Sequence, residues 1–229
     1  MKSDSENIIV LADTSTQYLC LTKAKIGRDG FSDASTTMTI PDKQITDWFS
    51  NEFMNFIQPE GKSKIGALAI GKGPGSFTGL RISFSYLRTF AMFSKVPLIS
   101  FSSGRLWQKS LCRKNELLLT RLNKDLYSGY LPGVHFKAAM SVDNWQEYLK
   151  VNPELKAAIW DKAMHTRNHT SSHTVWPDQT RMVSEPEVPN ELPLSFKEME
   201  HANTATVFDA LPDYGHDIIL NKSEKKSAM

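Results

Sequence analysis

The sequence contains 229 residues, and its 27 lysines and arginines against 25 aspartates and glutamates give a formal net charge of +2. This balance excludes a nucleic-acid binder that works by net charge alone. No apolar run approaches the length of a membrane-spanning helix, and the polar first residues predict no signal peptide. Two cysteines are too few for a disulfide scaffold, so we expect a cytoplasmic protein that does not act at a membrane.

The first half of the chain has a regular pattern. Apolar and β-branched runs predict a meander of three strands at 8–12, 18–24 and 35–40. An amphipathic helix follows over 42–57, and Pro59 ends it. After a strand at 65–70, a long helix at 77–93 carries apolar residues on two faces. Such a helix needs cover on both faces, from the sheet, from the first helix or from a partner protein.

The second half is less regular. A strand at 96–99 and a helix at 103–112 precede a predicted hairpin. The pattern then predicts helices at 143–150 and 154–164, and four prolines predict extended or irregular chain over 176–194. Residues 196–211 are compatible with a helix, and the lysine-rich tail is expected to fray.

The turn between strand 65–70 and the long helix is rich in glycine and reads GKGPGSFTGLR from Gly71. Glycines at the start of a helix let backbone amides approach a phosphate. The same glycines also occur in tight turns that let a helix pack closely on a sheet. The spacing matches neither a P-loop nor the dinucleotide fingerprint, so the tight turn is the more probable interpretation from the spacing alone.

Polar side chains also follow the first strand. Asp13, Thr14 and Ser15 could hold Mg²⁺ or a phosphate, but these residue types are equally common in turns. His165, His169 and His173 are spaced four residues apart, yet their segment is turn-like, so we predict no metal site. Cys20 and Cys112 lack organised partners and are interpreted as structural.

The run Gly73 to Arg81 closely resembles the signature of the TsaB (YeaZ) family, bacterial proteins of tRNA threonylcarbamoyladenosine biosynthesis. The segments 9–16 and 96–103 are similar to the family's first strand and to its next strand and helix start. The resemblance is good from about 8 to 103 and mostly lost after 127. It implies an α/β actin-like ATPase (ASKHA) fold with two lobes, each on a mixed sheet, the second lobe shortened or remodelled. The expected division is 1–105, 106–220 and a tail at 221–229.

The resemblance also implies a function. Family members act as a non-catalytic scaffold for the catalytic subunit TsaD, and a TsaE-like ATPase joins the complex. The implied partners are therefore a TsaD-like subunit, a TsaE-like ATPase, a second copy of the chain in isolation and, indirectly, tRNA. No cofactor is expected to bind tightly, with ATP and Mg²⁺ entering only within the complex. The chain is then not an enzyme, with residual nucleotide binding or ATPase activity left open.

In the family, two helices of the first lobe form the contact surface. Carried over to this sequence, they are 42–57 and 77–93. The predicted interface residues are Trp48, Phe49, Phe53, Gly75, Phe77, Thr78, Leu80, Arg81, Phe84, Tyr86, Leu87 and Arg88. The residues predicted to lie near any nucleotide are Asp13, Thr14, Ser15, Gly73, Gly75 and Ser76.

Two departures from the family pattern stand out. Ser83, Ser85, Leu87 and Thr89 occupy sites often held by glycine or alanine, and bulkier side chains there would push a facing helix outward. The acidic residue expected after the strand near 119 is absent, which puts any TsaE or tRNA contact of the second lobe in doubt.

The alternative function is an actin-fold ATPase or kinase that uses Asp13 and the glycine loop 71–79 around phosphate. It would need a second phosphate loop, which the second half does not obviously supply. A peptidase is a third hypothesis, and the sequence shows no nucleophile–base pair that would support it.

Overall fold

The structure, a computed structural model, describes residues 7–16, 18–27, 30–39, 45–73, 75–113, 116–121, 126–131, 137–160 and 176–183. Its first sheet has five strands in the order β3-β2-β1-β4-β5. The strands β1, β2 and β3 form an antiparallel meander, and β4 and β5 run parallel to β1. Their bounds are β1 Ile8–Asp13, β2 Leu19–Gly27, β3 Gly30–Thr39, β4 Ile65–Gly71 and β5 Leu98–Phe101.

Two helices cover one face of this sheet. The first, α1, spans Ile45–Ile57, and the second, α2, spans Phe77–Ser94. Ser76 caps α2 by accepting a hydrogen bond from the Gly79 amide, and Lys95 ends it in a left-handed conformation. A short 3-10 helix at Lys62–Lys64 leads from α1 into β4. Of the alternatives for covering the long helix, the structure shows two, since α2 shares one apolar cluster with α1 and with the sheet.

The second sheet lies beyond α3, which spans Ser103–Leu111. Its strand order is β10-β9-β6-β7-β8, with β9 parallel to β6 and β7 antiparallel to it. The helix α4 spans Val142–Val151 and buries Trp145 and Leu149. The strand bounds are β6 Glu116–Arg121, β7 Leu126–Tyr130, β8 Lys137–Ser141, β9 Lys156–Trp160 and β10 Thr180–Met182.

Both sheets contribute to one apolar core. This cluster joins Ile9 and Leu11 of the first sheet to Leu118 and Trp160 of the second, and α3 lies between them with Trp107. The lobe boundary predicted after residue 105 falls inside α3. The division into lobes therefore stays a prediction.

One predicted element is wrong. Residues 154–164 were expected to form a helix, but Lys156–Trp160 is strand β9, paired on both sides with β6 and β10. Four consecutive residues of β9 are buried, because strands lie on both of its sides and cores on both of its faces. A short run that is apolar throughout has no period of two, so the sequence alone does not separate it from a buried helix.

Other predictions differ only in extent or lie outside the described residues. The third strand begins at Gly30, five residues earlier than expected. The helix over 196–211 and the tail at 221–229 lie outside the described residues. Of the helices that the structure describes, none is both long enough and apolar enough to cross a membrane.

Candidate functional site

The glycine-rich turn connects β4 to α2 and lies against the end of β1. A Cβ atom on Gly75 would come within 2.1 Å of the Ser15 carbonyl oxygen, and one on Gly79 within 2.4 Å of the Thr14 carbonyl oxygen. Gly73 has φ 95°, a conformation that favours glycine. Backbone therefore packs on backbone at Gly75 and Gly79, and the positive φ accounts for Gly73, so these three glycines are explained without a ligand.

The amides of this turn are largely engaged within the protein. Lys72 donates to the Phe101 carbonyl at 2.8 Å, and Ser76 donates to the Ser15 carbonyl at 2.6 Å. The Gly73 amide donates to Ser103 Oγ at 3.0 Å. A phosphate cradle requires amides that point into an open space, so this geometry favours the tight-turn interpretation.

Asp13 is fully buried at the end of β1. Its Oδ1 accepts hydrogen bonds from the Ser15 amide at 3.1 Å, from Ser15 Oγ at 2.7 Å and from Trp107 Nε1 at 3.1 Å. The indole also donates to Ser15 Oγ at 3.2 Å. Asp13 Oδ2 has no hydrogen-bond partner among the residues that the structure describes, and it packs so closely on Gly71 that a Cβ there would lie 1.9 Å away.

The actin-like fold implies ATP and Mg²⁺ at this position, and the residues present do not fit that group. Mg²⁺ binds carboxylates together with several waters, which needs an accessible oxygen. Here Trp107 covers one oxygen of Asp13, and Gly71 lies against the other. Thr14 Oγ1 is likewise engaged within the protein, because it forms a hydrogen bond with Ser83 Oγ of α2 at 2.8 Å. The arrangement joins β1, α2 and α3 as a structural contact.

The aromatic side chains between α1 and α2 form a second feature. Phe53 lies edge-on to Tyr86 and Phe90 of α2, with ring centroids 5.6 and 5.4 Å apart. Phe49 meets Tyr86 in the same way at 5.5 Å. Offset and edge-to-face aromatic pairs of this kind add to the free energy of burial. The two helices therefore present one rigid surface.

The outward face of α2 is uncovered in the monomer. Its first turns line a shallow groove of about 330 Å³ formed by Phe77, Thr78, Arg81, Ile82 and Ser85. Phe77 is 52% exposed, and near the end of the helix Met92 and Phe93 are 54% and 85% exposed. The exposed apolar side chains therefore lie at the two ends of α2, and the groove beside Phe77 is the candidate protein–protein contact.

Comparison with known proteins places this region among tRNA-modification proteins. The family model TsaD, described as a tRNA N6-adenosine threonylcarbamoyltransferase, matches residues 58–112. A segment of 51 residues is 41% identical to the tRNA threonylcarbamoyladenosine biosynthesis protein TsaB of Escherichia coli K12. The segment covers 22% of this chain, and the match spans only 22% of that relative's length.

Two solved structures from Pseudomonas aeruginosa share the whole fold. One is described as an uncharacterized protein with similarity to peptidase YEAZ; its TM-score is 0.66 at 15% identity, over 92% of this chain and 100% of that chain. The other is YeaZ, with a TM-score of 0.60 at 16% identity, over 91% of this chain and 99% of that chain. The resemblance to the TsaB (YeaZ) family is confirmed. So is the predicted α/β fold with two mixed sheets, which both Pseudomonas structures share.

Burial divides the predicted contact residues into groups. Five of them are at most 3% exposed and form the core under the helices, where they support the surface: Phe49, Phe53, Leu80, Phe84 and Leu87. An aspartate at position 84 would lie inside the core and destabilise the fold. Gly75, Trp48, Tyr86 and Arg88 are partly exposed, and Phe77, Thr78 and Arg81 are exposed.

The four positions of α2 that the family often fills with glycine or alanine also separate into two pairs. Ser83 and Leu87 point into the core, and Ser83 donates a hydrogen bond to the Leu80 carbonyl at 3.1 Å. Ser85 and Thr89 are exposed. Only the second pair can change how closely a facing helix approaches, which limits the departure from the family pattern to two positions.

The remaining candidates do not form a site in the described part of the chain. Burial, together with the nearby Asp13, raises the pKa of Cys20 to about 12. Burial likewise raises the pKa of Cys112 to about 12, so neither thiol is a ready nucleophile. Among the described residues, no three metal-ligating side chains come together. His165, His169 and His173, for which we predicted no metal site, lie outside those residues.

Sequence reasoning missed two residues of this region. Trp107 was placed on a helix but not connected to Asp13, since 94 positions separate them. The sequence pattern assigned Phe93 to an apolar helix face that another element should cover, but the structure leaves this side chain exposed. The available signal was the position of Phe93 in the last turn of α2, beyond the last buried residue, Ala91.

Proposed function

We propose that this chain takes part in tRNA threonylcarbamoyladenosine biosynthesis as a non-catalytic subunit. It binds a TsaD-like catalytic subunit through the outward face of α2, and a TsaE-like ATPase joins the complex. The chain touches tRNA only indirectly. ATP and Mg²⁺ belong to the partners within this proposal, and self-association through the same face is its expected state in isolation.

One observation carries the proposal. The helix that begins with the family signature leaves its outward face uncovered, with Phe77 exposed in a groove at its first turns and Met92 and Phe93 exposed near its end. The buried polar cluster at Asp13 supports the non-catalytic role, because its carboxylate is inaccessible to a substrate. The TsaD family model matches residues 58–112, a range that includes this helix.

Binding to the TsaD-like protein of the same genome tests the proposal. The two purified proteins should elute together in size-exclusion chromatography with light scattering, at the mass of a heteromeric complex. Ser85→Trp places a bulky neutral side chain in the groove at an exposed position, so it should abolish the complex and leave the fold intact. Asn144→Trp, at an exposed position of α4, is the matched control and should bind normally.

A cellular measurement completes the test. Cells that lack the chain should lose threonylcarbamoyladenosine from their tRNA, as measured by mass spectrometry of nucleosides. The wild type and Asn144→Trp should restore it, and Ser85→Trp should not. A wild-type chain that forms no complex and restores no modification would refute the proposed function.

A further inference from the structure

The residues that follow β1 hold the first two turns of α2 in place. The amide of Ser76, the N-cap residue of α2, donates to the Ser15 carbonyl at 2.6 Å. Two turns later, Ser83 Oγ forms a hydrogen bond with Thr14 Oγ1 at 2.8 Å. The positions of Thr14 and Ser15 therefore set the position of this part of the helix.

The groove of the proposed docking surface lies in the same two turns. Its lining residues are Phe77, Thr78, Arg81, Ile82 and Ser85. The first four of them fall between the two contacts at Ser76 and Ser83. Because the backbone hydrogen bonds of an α-helix hold each turn together, a shift at the first turn moves these side chains as a group. A displacement of Thr14 and Ser15 would therefore change how the groove is presented to a partner.

Trp107 of α3 contacts the residue that holds the start of α2. Its Nε1 donates to Asp13 Oδ1 at 3.1 Å and to Ser15 Oγ at 3.2 Å, and all three side chains are buried. The carbonyl of the same Ser15 accepts from the Ser76 amide. Loss of the indole N–H would remove a donor that two buried oxygens share, and Ser15 would be held less firmly.

Trp107 also contacts the second sheet. Its ring centroid lies 5.0 Å from that of Trp160, the last residue of β9. A continuous set of contacts thus leads from Trp160 through Trp107 and Ser15 to Ser76, at the edge of the groove. Mutations along contiguous packing and hydrogen bonds of this kind change the affinity of a distant site by about two- to thirtyfold.

We propose that Trp107 is a positioning residue for the docking groove. It fixes Ser15, and through Ser15 the first two turns of α2, so the packing of the second sheet against α3 controls the affinity of the groove for its partner. The inference rests on the proposed function, in which that partner is the TsaD-like subunit.

Amide hydrogen exchange of the free chain tests the positioning without a partner. Trp107→Phe should raise the exchange rates of the Ser76 and Gly79 amides about fivefold or more, because their acceptors, the Ser15 carbonyl and Ser76 Oγ, are then held less firmly. Trp145→Phe is the matched control. It also removes a buried indole donor, which bonds the Tyr127 carbonyl at 3.0 Å, but Trp145 packs in the cluster of α4 and the second sheet. It should leave those two amides unchanged.

Calorimetric titration with the TsaD-like protein, at a temperature where every variant is folded, tests the effect on docking. Trp107→Phe should bind about three- to tenfold more weakly than the wild type, and Trp145→Phe should bind like it. Thr14→Val removes the contact with Ser83 and should also weaken the complex. Thr22→Val is its control, because the lost hydroxyl bond joins β2 to β3 at Thr36, and it should bind normally.

Trp160→Leu tests the connection to the second sheet. It keeps both hydrogen bonds of Trp107 and removes the ring that packs against the indole. Although Trp160 belongs to a different apolar cluster from α2, this change should raise exchange at Ser76 and weaken the complex. Trp145→Leu, an equal loss of packing in the second sheet, should do neither.

The possible outcomes separate the two proposals. If the wild type forms no complex with the TsaD-like protein, the proposed function fails, and exchange in the free chain still decides whether Trp107 positions α2. If the wild type binds and the Trp107→Phe and Trp145→Phe variants bind within about twofold of each other, the positioning role is refuted. Unchanged exchange at Ser76 in Trp107→Phe would refute it as well. A Trp160→Leu variant that behaves like Trp145→Leu would refute control by the second sheet.

Discussion

At the scale of single residues, the buried carboxylate of Asp13 organises the end of β1. Three donors converge on its Oδ1, and one of them is an indole from a helix 94 positions later in the sequence. The oxygen of a buried carboxylate needs such donors, because a charged group without them carries a large desolvation cost. The stability of the first lobe therefore depends on Trp107.

Replacing Trp107 by phenylalanine should destabilise the protein more than the same change at Trp160. Both side chains are buried in one cluster, with ring centroids 5.0 Å apart, but Trp160 Nε1 has no hydrogen-bond partner in the described structure. Trp107→Phe removes a donor to a buried carboxylate, which costs about 1–3 kcal/mol beyond the shared loss of packing. Chemical denaturation measures the difference, and equal losses for both variants would contradict the structural role of the indole.

The residues of the glycine motif illustrate what a sequence pattern can and cannot decide. The spacing of Gly71, Gly75 and Gly79 predicted a turn between a strand and a helix, and the structure has that turn. The choice between phosphate binding and close packing depended on where the Ser15 and Thr14 carbonyls lie. Those positions follow from the pairing of β1 with β4, which local sequence does not contain.

At the scale of secondary-structure elements, periodicity predicted the helices α1, α2 and α4 well because each has a buried stripe and a polar face. The strand β9 was wrongly predicted to be a helix. It is flanked by β6 and β10, and apolar clusters cover both of its faces, so its sequence has no alternation of apolar and polar residues. The edge strand β10 pairs with β9 and also contributes an ion pair: Arg181 Nη2 donates to Glu116 Oε2 at 2.7 Å and to the Leu111 carbonyl at 2.9 Å. This pair joins the end of α3 to two strands.

The ion pair predicts a pH dependence. Burial by itself would raise the pKa of Glu116, but the hydrogen bonds from Arg181 and from the Arg113 amide, with the charges of both arginines, lower it below its ordinary 4.5. A carboxylate with a lowered pKa in the folded state stabilises the protein above pH 4.5, and that stability is lost as the pH falls through the lower folded value.

Glu116→Gln should therefore be less stable than the wild type at neutral pH, by about 1–3 kcal/mol. The gap should narrow as the pH falls below about 4.5, where the wild type itself becomes protonated. Denaturation at several pH values measures this. Asp33→Asn is the control, since the Lys25–Asp33 pair is largely exposed and its loss should change stability little. A constant gap across this range would contradict the assignment.

At the scale of the whole molecule, the two sheets are not independent. Leu118, Ala158 and Trp160 of the second sheet pack in the same cluster as Ile9 and Leu11 of the first, around α3. Neither sheet buries this apolar surface alone, and exposing it is unfavourable. The predicted lobes therefore differ in which sheet they contain, but they share one apolar core and are not expected to be stable separately.

Equilibrium unfolding should accordingly show one transition. Far-ultraviolet circular dichroism reports both sheets and the helices. Tryptophan fluorescence reports five tryptophans, and four of them, Trp107, Trp145, Trp160 and Trp176, lie at or beyond α3. The two probes should give the same midpoint, as two-state unfolding requires. A fluorescence transition that precedes the loss of secondary structure would show that the second lobe unfolds by itself.

The sequence by itself determined the order of the first-lobe elements and the family resemblance, because both depend on local patterns and on a continuous motif near Gly73. It also predicted that the long helix has more apolar surface than one neighbour can cover. Only the tertiary structure decided which residues face outward. Phe84 and Phe93 are both apolar residues of α2, but one lies 3% exposed on the sheet and the other 85% exposed beyond it. That distinction arises because burial depends on contacts between distant segments, and a one-dimensional pattern records only which residues share a face.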